Sequence, residues 1–206
     1  MAISRVLASV LLASASAQAG ETLSLTSAEG TTVTLDQLRA GHDATVLVFW
    51  SASCPCVRRY QERVDALLDA YPKARLKVVA ISSNAGECFA DALGAAKERG
   101  VRVPLYRDEG GRVADAFGAK STPTVVLLDA SGAMRFRGWI DNERRPGDSG
   151  REPWLDRAIV GVLEGKSFES RSPVYGCRIT KSLRDPPPEA GSCCAGGAAK
   201  TAGGAP

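Results

Sequence analysis

The sequence predicts an α/β domain in which helices cover both faces of a mixed β-sheet. Strand signals alternate with helix signals along most of the 206 residues, and this alternation is typical of a sheet with parallel strands. Three β-prone runs, at residues 45–50, 76–81 and 124–128, are rich in apolar residues, and the first of them is almost continuous. Such runs indicate central strands that are buried on both faces.

The first half of the chain contains five predicted elements. Residues 23–35 read as a β-hairpin, since two short strands flank the turn residues Glu29-Gly30. A central strand is followed by an amphipathic helix, and then a second strand is followed by a second helix that ends at Gly100. Those four elements are predicted at residues 45–50, 55–71, 76–81 and 87–99.

The second half continues with shorter elements. The turn at residues 129–132 (Asp-Ala-Ser-Gly) joins two strands into a hairpin, and Gly165 ends the last helix. The predicted strands are residues 103–106, 124–128 and 134–140, and the predicted helices are residues 113–117 and 153–163.

The two ends of the chain differ from the body. A signal peptide is predicted at residues 1–19 from Arg5, the short apolar run at 6–12 and the Ala17-Gln18-Ala19 pattern. The sequence therefore predicts a periplasmic or secreted protein. Neither this run nor any later segment is long enough to span a membrane. Residues 20–184 are the predicted folded domain. The Pro/Gly/Ala-rich residues 185–206 are predicted to be a disordered tail that carries Cys193-Cys194.

Composition excludes several classes of function. The 26 Lys+Arg residues nearly balance the 23 Asp+Glu residues, so the sequence does not predict a nucleic-acid-binding surface. A single histidine excludes catalysis by several imidazoles. Six cysteines in an exported protein point instead to thiol chemistry, because disulfides persist outside the cytoplasm.

The most informative cysteine follows the first central strand. Cys54 lies where that strand meets the first long helix, and Pro55 suits the first position of a helix. A helix N-terminus stabilises a thiolate, and Arg58 and Arg59 lie in the following turn. We therefore expect the pKa of Cys54 to be lowered, which would make it a nucleophile.

Three segments give the chain a family resemblance. These segments resemble the thioredoxin-like superfamily. They are residues 46–56, the run Ser121-Thr122-Pro123-Thr124 before a strand, and the late run Gly176-Cys177-Arg178-Ile179. The resemblance is greatest to the exported redoxin group related to peroxiredoxins and thiol–disulfide oxidoreductases.

The resemblance implies a thioredoxin-like three-layer sandwich, with a mixed central sheet flanked by helices and an N-terminal β-hairpin. It also implies that Cys54 is the attacking cysteine and that Pro123 is a cis proline facing it. A peptide substrate would then lie along Thr122-Pro123 as an added edge strand.

The chain departs from the usual Cys-x-x-Cys motif. Val57 replaces the second cysteine, and Cys56 comes one residue early. A disulfide between Cys54 and Cys56 would close a tight, strained and easily reduced ring. The second cysteine of the reaction is therefore Cys56 or a more distant one, with Cys177 preferred over Cys88, and the tail pair is also within reach. The predicted catalytic residues are Cys54, Cys56, Pro123 and Cys177.

Three functions remain open from the sequence. The leading hypothesis is a thiol–disulfide oxidoreductase that acts on protein or peptide disulfides or dithiols, with a separate redox partner and no cofactor. The second is a thiol peroxidase: Ser51 matches the hydroxyl of the peroxiredoxin motif, but Leu47 replaces its proline. The third is a Cu(I)- or Zn-binding protein that uses the thiolates of Cys54, Cys56, Cys193 and Cys194.

Overall fold

A buried seven-residue strand, β3 (Ala44–Trp50), forms the centre of the structure, which is a computed structural model describing residues 22–143 and 150–180. It pairs in parallel with β4 (Leu76–Ser82) and antiparallel with β7 (Thr124–Asp129). Alternate side chains of β3 enter two separate apolar cores, with Val48 in one and Phe49 in the other. This two-sided burial explains why its sequence is almost entirely apolar.

Shorter strands extend the sheet on both sides. The complete strand order is β2-β1-β5-β4-β3-β7-β8, and only the pairs β3–β4 and β4–β5 are parallel. A separate two-stranded ladder joins β6 to β9. The remaining strands are β1 (Ser24–Thr26), β2 (Thr32–Thr34), β5 (Leu105–Arg107), β6 (Ser121–Thr122), β8 (Met134–Gly138) and β9 (Cys177–Arg178).

Five α-helices in the described residues cover the two faces of the sheet. Three of them pack against the core that contains Val48, and the other two pack against the core that contains Phe49. The first group is α2 (Pro55–Ala70), α3 (Phe89–Glu98) and α5 (Trp154–Glu164); the second is α1 (Leu35–Arg39) and α4 (Arg112–Ala116). The predicted three-layer α/β sandwich is confirmed.

Two features escaped the prediction. The five-residue helix α1 begins with a capping box, in which the Thr34 hydroxyl accepts from Gln37 N and the Gln37 side chain accepts from Thr34 N. The pattern is visible in the sequence, but the helix is too short to show periodicity. The β6–β9 ladder has only two residues in each strand and therefore gives no pattern either. The predicted leader and tail lie outside the described residues.

Candidate functional site

The turn at residues 51–54, here called the reactive turn after the prediction for Cys54, joins β3 to α2. Cys54 is the N-cap residue of α2, and Pro55 occupies the first helical position, as predicted. The Cys54 side chain is completely buried, with 0% of the residue exposed. The turn thus places the thiol at the helix N-terminus and beneath other parts of the chain.

Glu87 holds the turn that precedes Cys54. Its carboxylate accepts hydrogen bonds from Ala52 N at 2.7 Å and from the Ser51 hydroxyl at 3.1 Å. The other carboxylate oxygen accepts from the Ser82 hydroxyl at 3.2 Å. Glu87 is therefore a positioning residue for the reactive turn. No sequence pattern predicted this role, because an acidic residue before a helix is common.

The same contacts bear on the peroxidase hypothesis. The buried hydroxyl of Ser51, which matched the peroxiredoxin motif, is bonded to Glu87 and lies within 3.0 Å of the Ser53 hydroxyl. It is thus engaged within the turn. Leu47, at the position of the motif's proline, is a fully buried core residue of β3.

A second segment faces Cys54 from β6. The Thr122–Pro123 peptide bond is cis, as the resemblance implies. The Cys54 thiol donates to the carbonyl oxygen of Thr122 at 3.2 Å. Thr122 also lies directly opposite Cys177 of β9 in the antiparallel ladder. This ladder brings together Cys54 and Cys177, which are 123 positions apart in the sequence.

Three thiols form one cluster, here called the sulfur cluster, which consists of Cys54, Cys56 and Cys177. Burial raises the pKa of Cys54, but hydrogen bonds to its sulfur outweigh this effect, and the pKa is lowered. The neighbouring thiol of Cys177 lowers the pKa most, followed by Thr122 and by the backbone of Val57 in the first turn of α2. The expected thiolate therefore depends on hydrogen bonds rather than on a neighbouring arginine.

The other two thiols are shifted in the opposite direction. The pKa of Cys177 is raised to about 11. The main cause is hydrogen bonding to Cys54, and burial adds to the rise. Burial, followed by the nearby charge of Cys54, raises the pKa of Cys56, and Arg59 partly offsets the rise. Cys54 is thus the member of the cluster that ionises first, and Cys177 is the proton donor beside it.

The segment that leads to Cys177 is held by Trp139. The backbone N–H of Trp139 donates to the Ser172 hydroxyl at 2.8 Å, and its indole N–H donates to the Tyr175 carbonyl at 2.7 Å. The rings of Trp139 and Tyr175 meet edge to face, with centroids 4.9 Å apart. These contacts fix the chain immediately before Cys177 and so fix the position of its thiol.

The predicted site residues thus lie together: the sulfur cluster contains Cys54, Cys56 and Cys177, and Pro123 follows Thr122 at its side. Cys88, the other proposed partner, is the N-cap residue of α3 and is not a member of the cluster. The expectation that a peptide lies along Thr122-Pro123 as an added strand is wrong. The edge beside Pro123 is not free for a peptide, because β9 is already paired with β6. Cys193 and Cys194 lie outside the described residues.

Two further observations concern the part of the chain that the structure describes. No group of three or more His, Cys, Asp or Glu side chains there is arranged to hold a metal ion. Likewise, none of its helices combines the length and the apolarity needed to cross a bilayer.

The hydrogen bond from Cys177 gives a testable pH dependence. Because this bond lowers the pKa of Cys54, we expect the substitution Cys177→Ala to raise it, and less thiolate would be present near neutral pH. The measurement is the thiolate absorbance of the reduced protein as a function of pH. Cys88→Ala is the matched control and should leave the first titration step unchanged. An unchanged first step in Cys177→Ala would contradict the assignment of this bond.

Comparisons with known proteins agree with this geometry. Two curated relatives are named thiol–disulfide oxidoreductases: ResA of Halalkalibacterium halodurans, 27% identical over 106 residues, and YkuV of Bacillus subtilis, 29% identical over 106 residues. The matches cover 52% and 50% of this chain, and 58% and 70% of those proteins. The chain therefore spans little more than half the length of ResA.

A solved structure covers more of the fold. The hypothetical protein SMc02350 of Sinorhizobium meliloti is 30% identical and superposes with a TM-score of 0.67, over 79% of this chain and 92% of that one. The fold is thioredoxin-like. The model of the AhpC/TSA family matches residues 17–137, which include β3, the reactive turn and the cis proline. On this match the chain belongs to the AhpC/TSA family.

Proposed function

We propose that the protein is an exported thiol–disulfide oxidoreductase that cycles between a Cys54/Cys177 dithiol and a Cys54–Cys177 disulfide. The observation that carries the proposal is the placement of these two cysteines: Cys54, at a helix N-terminus, bonds to the Thr122 carbonyl at 3.2 Å, and Thr122 lies opposite Cys177 and precedes a cis proline. A low-pKa thiolate next to a protonated thiol is the arrangement that a dithiol–disulfide centre needs. The names of the two curated relatives support the same chemistry.

The geometry favours Cys177 over Cys56 as the second cysteine. Cys177 is held on a strand whose partner, Thr122, bonds directly to Cys54. Cys56 is two positions from Cys54, in the first turn of α2, where a direct disulfide would have to close a very small ring. Cys56 contacts the same sulfurs and remains a third thiol of the cluster.

The reaction transfers two electrons. In the oxidative half, the thiolate of Cys54 and the thiol of Cys177 lose two electrons and one proton as their disulfide forms. The same electrons reduce a partner disulfide to one thiol, which takes up that proton, and one thiolate. In the reductive half, two partner thiols become a disulfide and restore the dithiol. The partners that fit are protein or peptide disulfides and dithiols, and the predicted signal peptide supports a periplasmic or secreted location.

The test compares two oxidants on the same reduced protein. We expect oxidised glutathione to be consumed much faster than hydrogen peroxide, because the hydroxyl that a peroxidase would need is bonded to Glu87. Disulfide mapping of the product should show Cys54 linked to Cys177. Peroxide turnover close to the exchange rate would favour the peroxidase function instead. A product linked through Cys54 and Cys56 would overturn the assignment of Cys177.

A further inference from the structure

The strand β9 occupies the position that a bound peptide would take beside the cis proline. Cys177 and Arg178 pair with Thr122 and Ser121, so the hydrogen-bonding groups of that edge are used within the chain. Added peptide strands need such groups to be free. Peptide docking beside Cys54 is therefore blocked by the protein's own chain.

The strand β9 covers Cys54, and contacts of the two residues that follow it hold it in place. Ile179 N donates to the Lys120 carbonyl at 3.0 Å, and the Ile179 side chain is buried in the core beneath, with 4% exposed. On the other side, Ala85 N donates to the Thr180 carbonyl at 2.7 Å, and Thr180 N donates to the Asn84 side chain at 2.8 Å. These contacts make β9 a part of the folded body.

Because β9 covers the site, the sulfurs of Cys54 and Cys177 differ in their exposure to solvent. Cys54 is completely buried, whereas Cys177 is only partly buried and forms part of the covering strand. A molecule that approaches the site from solvent thus meets Cys177 before it meets Cys54.

The strength of the leaving group also favours attack on the Cys177 sulfur. When a thiolate attacks one sulfur of a disulfide, the other sulfur leaves, and a leaving thiol of lower pKa leaves faster. Cys54 has a lowered pKa, whereas Cys177 has a pKa of about 11. Attack on Cys177 with departure of Cys54 is therefore favoured by access and by leaving-group strength together.

We propose that partner thiols enter the oxidised protein at Cys177 and that Cys54 is the leaving group. This inference rests on the proposed function. The partner thiolate forms a bond to the Cys177 sulfur, the Cys54–Cys177 bond breaks, and Cys54 departs as a thiolate. A second partner thiolate then attacks the partner sulfur of this mixed disulfide; the partner leaves as a disulfide, and Cys177 takes up a proton. In the reverse direction, the Cys54 thiolate attacks the Cys177 sulfur of the mixed disulfide and releases the partner thiol.

The test locates the first adduct. The full-length chain is prepared with Cys56, Cys88, Cys193 and Cys194 replaced by Ser, oxidised, and mixed briefly with reduced glutathione. After acid quenching and alkylation of free thiols, mass spectrometry locates glutathione on Cys54 or on Cys177. At the earliest times we expect at least about ten times more glutathione on Cys177.

Each other outcome has a distinct meaning. Glutathione on Cys54, or equally on both cysteines, would overturn the inference while leaving the proposed function intact. If no disulfide forms, or if glutathione does not react with it, the proposed function fails and the inference falls with it. The two failures are distinguishable, because only the second leaves no adduct at all.

A second pair of variants tests the cover itself. Ile179→Ala, made in the same two-cysteine chain, removes most of the buried anchor of β9, and we expect it to increase the share of glutathione on Cys54 severalfold. Ile179→Val is the matched control; it keeps most of the anchor and should leave the distribution close to that of the parent. A share on Cys54 that stays the same in Ile179→Ala would contradict the role of β9 as a cover.

Discussion

Replacement of Cys54 by Ser is expected to reduce thiol–disulfide exchange to the background rate of the solution. Cys54 is the cysteine in the sulfur cluster with a lowered pKa, while the pKa values of Cys56 and Cys177 are raised. Near neutral pH, the variant would lose the thiolate that forms or leaves the disulfide, and a hydroxyl cannot replace it in exchange. The measurement is the rate at which reduced protein consumes oxidised glutathione.

The matched control for this variant is Cys88→Ser. Cys88 is also the N-cap residue of a helix, but it lies outside the sulfur cluster, so its replacement should leave the exchange rate within about twofold of the parent. Exchange by Cys54→Ser at a rate near that of the parent would mean that Cys56 and Cys177 form the redox centre without Cys54. Loss of exchange in Cys88→Ser would mean that Cys88 also takes part in the mechanism.

The central strands were predictable because burial on both faces leaves a direct mark on the sequence. β3 and β7 appear as apolar runs, and their observed bounds differ from the predicted ones by a single residue at one end. The ends of helices shift by one or two residues, as at α3, where the cap geometry of Cys88 decides the boundary. The short elements α1, β6 and β9 were missed, since two to five residues cannot establish a period.

The site was only partly predictable, for a related reason. Cys54 and Pro123 are marked by local sequence: a cysteine and a proline where a strand meets a helix, and a Thr-Pro before a strand. Cys54 and Cys177 are 123 positions apart in the sequence. They are brought together by a ladder of only two residue pairs, which leaves no pattern in the sequence. For the same reason, the burial of Cys54 beneath β9 could not be deduced. The edge beside Pro123 was therefore expected to be open.

Gly176 controls the position of β9, and Gly176→Ala is expected to separate Cys177 from Cys54. The backbone of Gly176 has a φ of +129°, which residues with a Cβ rarely adopt. A Cβ at this position would lie 2.0 Å from the Thr122 carbonyl oxygen and 2.8 Å from its carbon. Both atoms belong to the backbone of the strand that β9 pairs with, so the clash cannot be relieved by a side-chain rotation. The ladder must open instead.

The measurement is the rate at which the reduced protein forms the Cys54–Cys177 disulfide, together with the free energy of unfolding. Gly165→Ala is the matched control: Gly165 also has a positive φ, +69°, but a Cβ there meets no atom within 4 Å. It should lose about 1–2 kcal/mol of stability and keep the parent rate of disulfide formation. Gly176→Ala should lose more than about 2 kcal/mol and form the disulfide at least about ten times more slowly, because the two thiols are no longer held in contact. A parent rate in Gly176→Ala would mean that the β6–β9 ladder does not position Cys177.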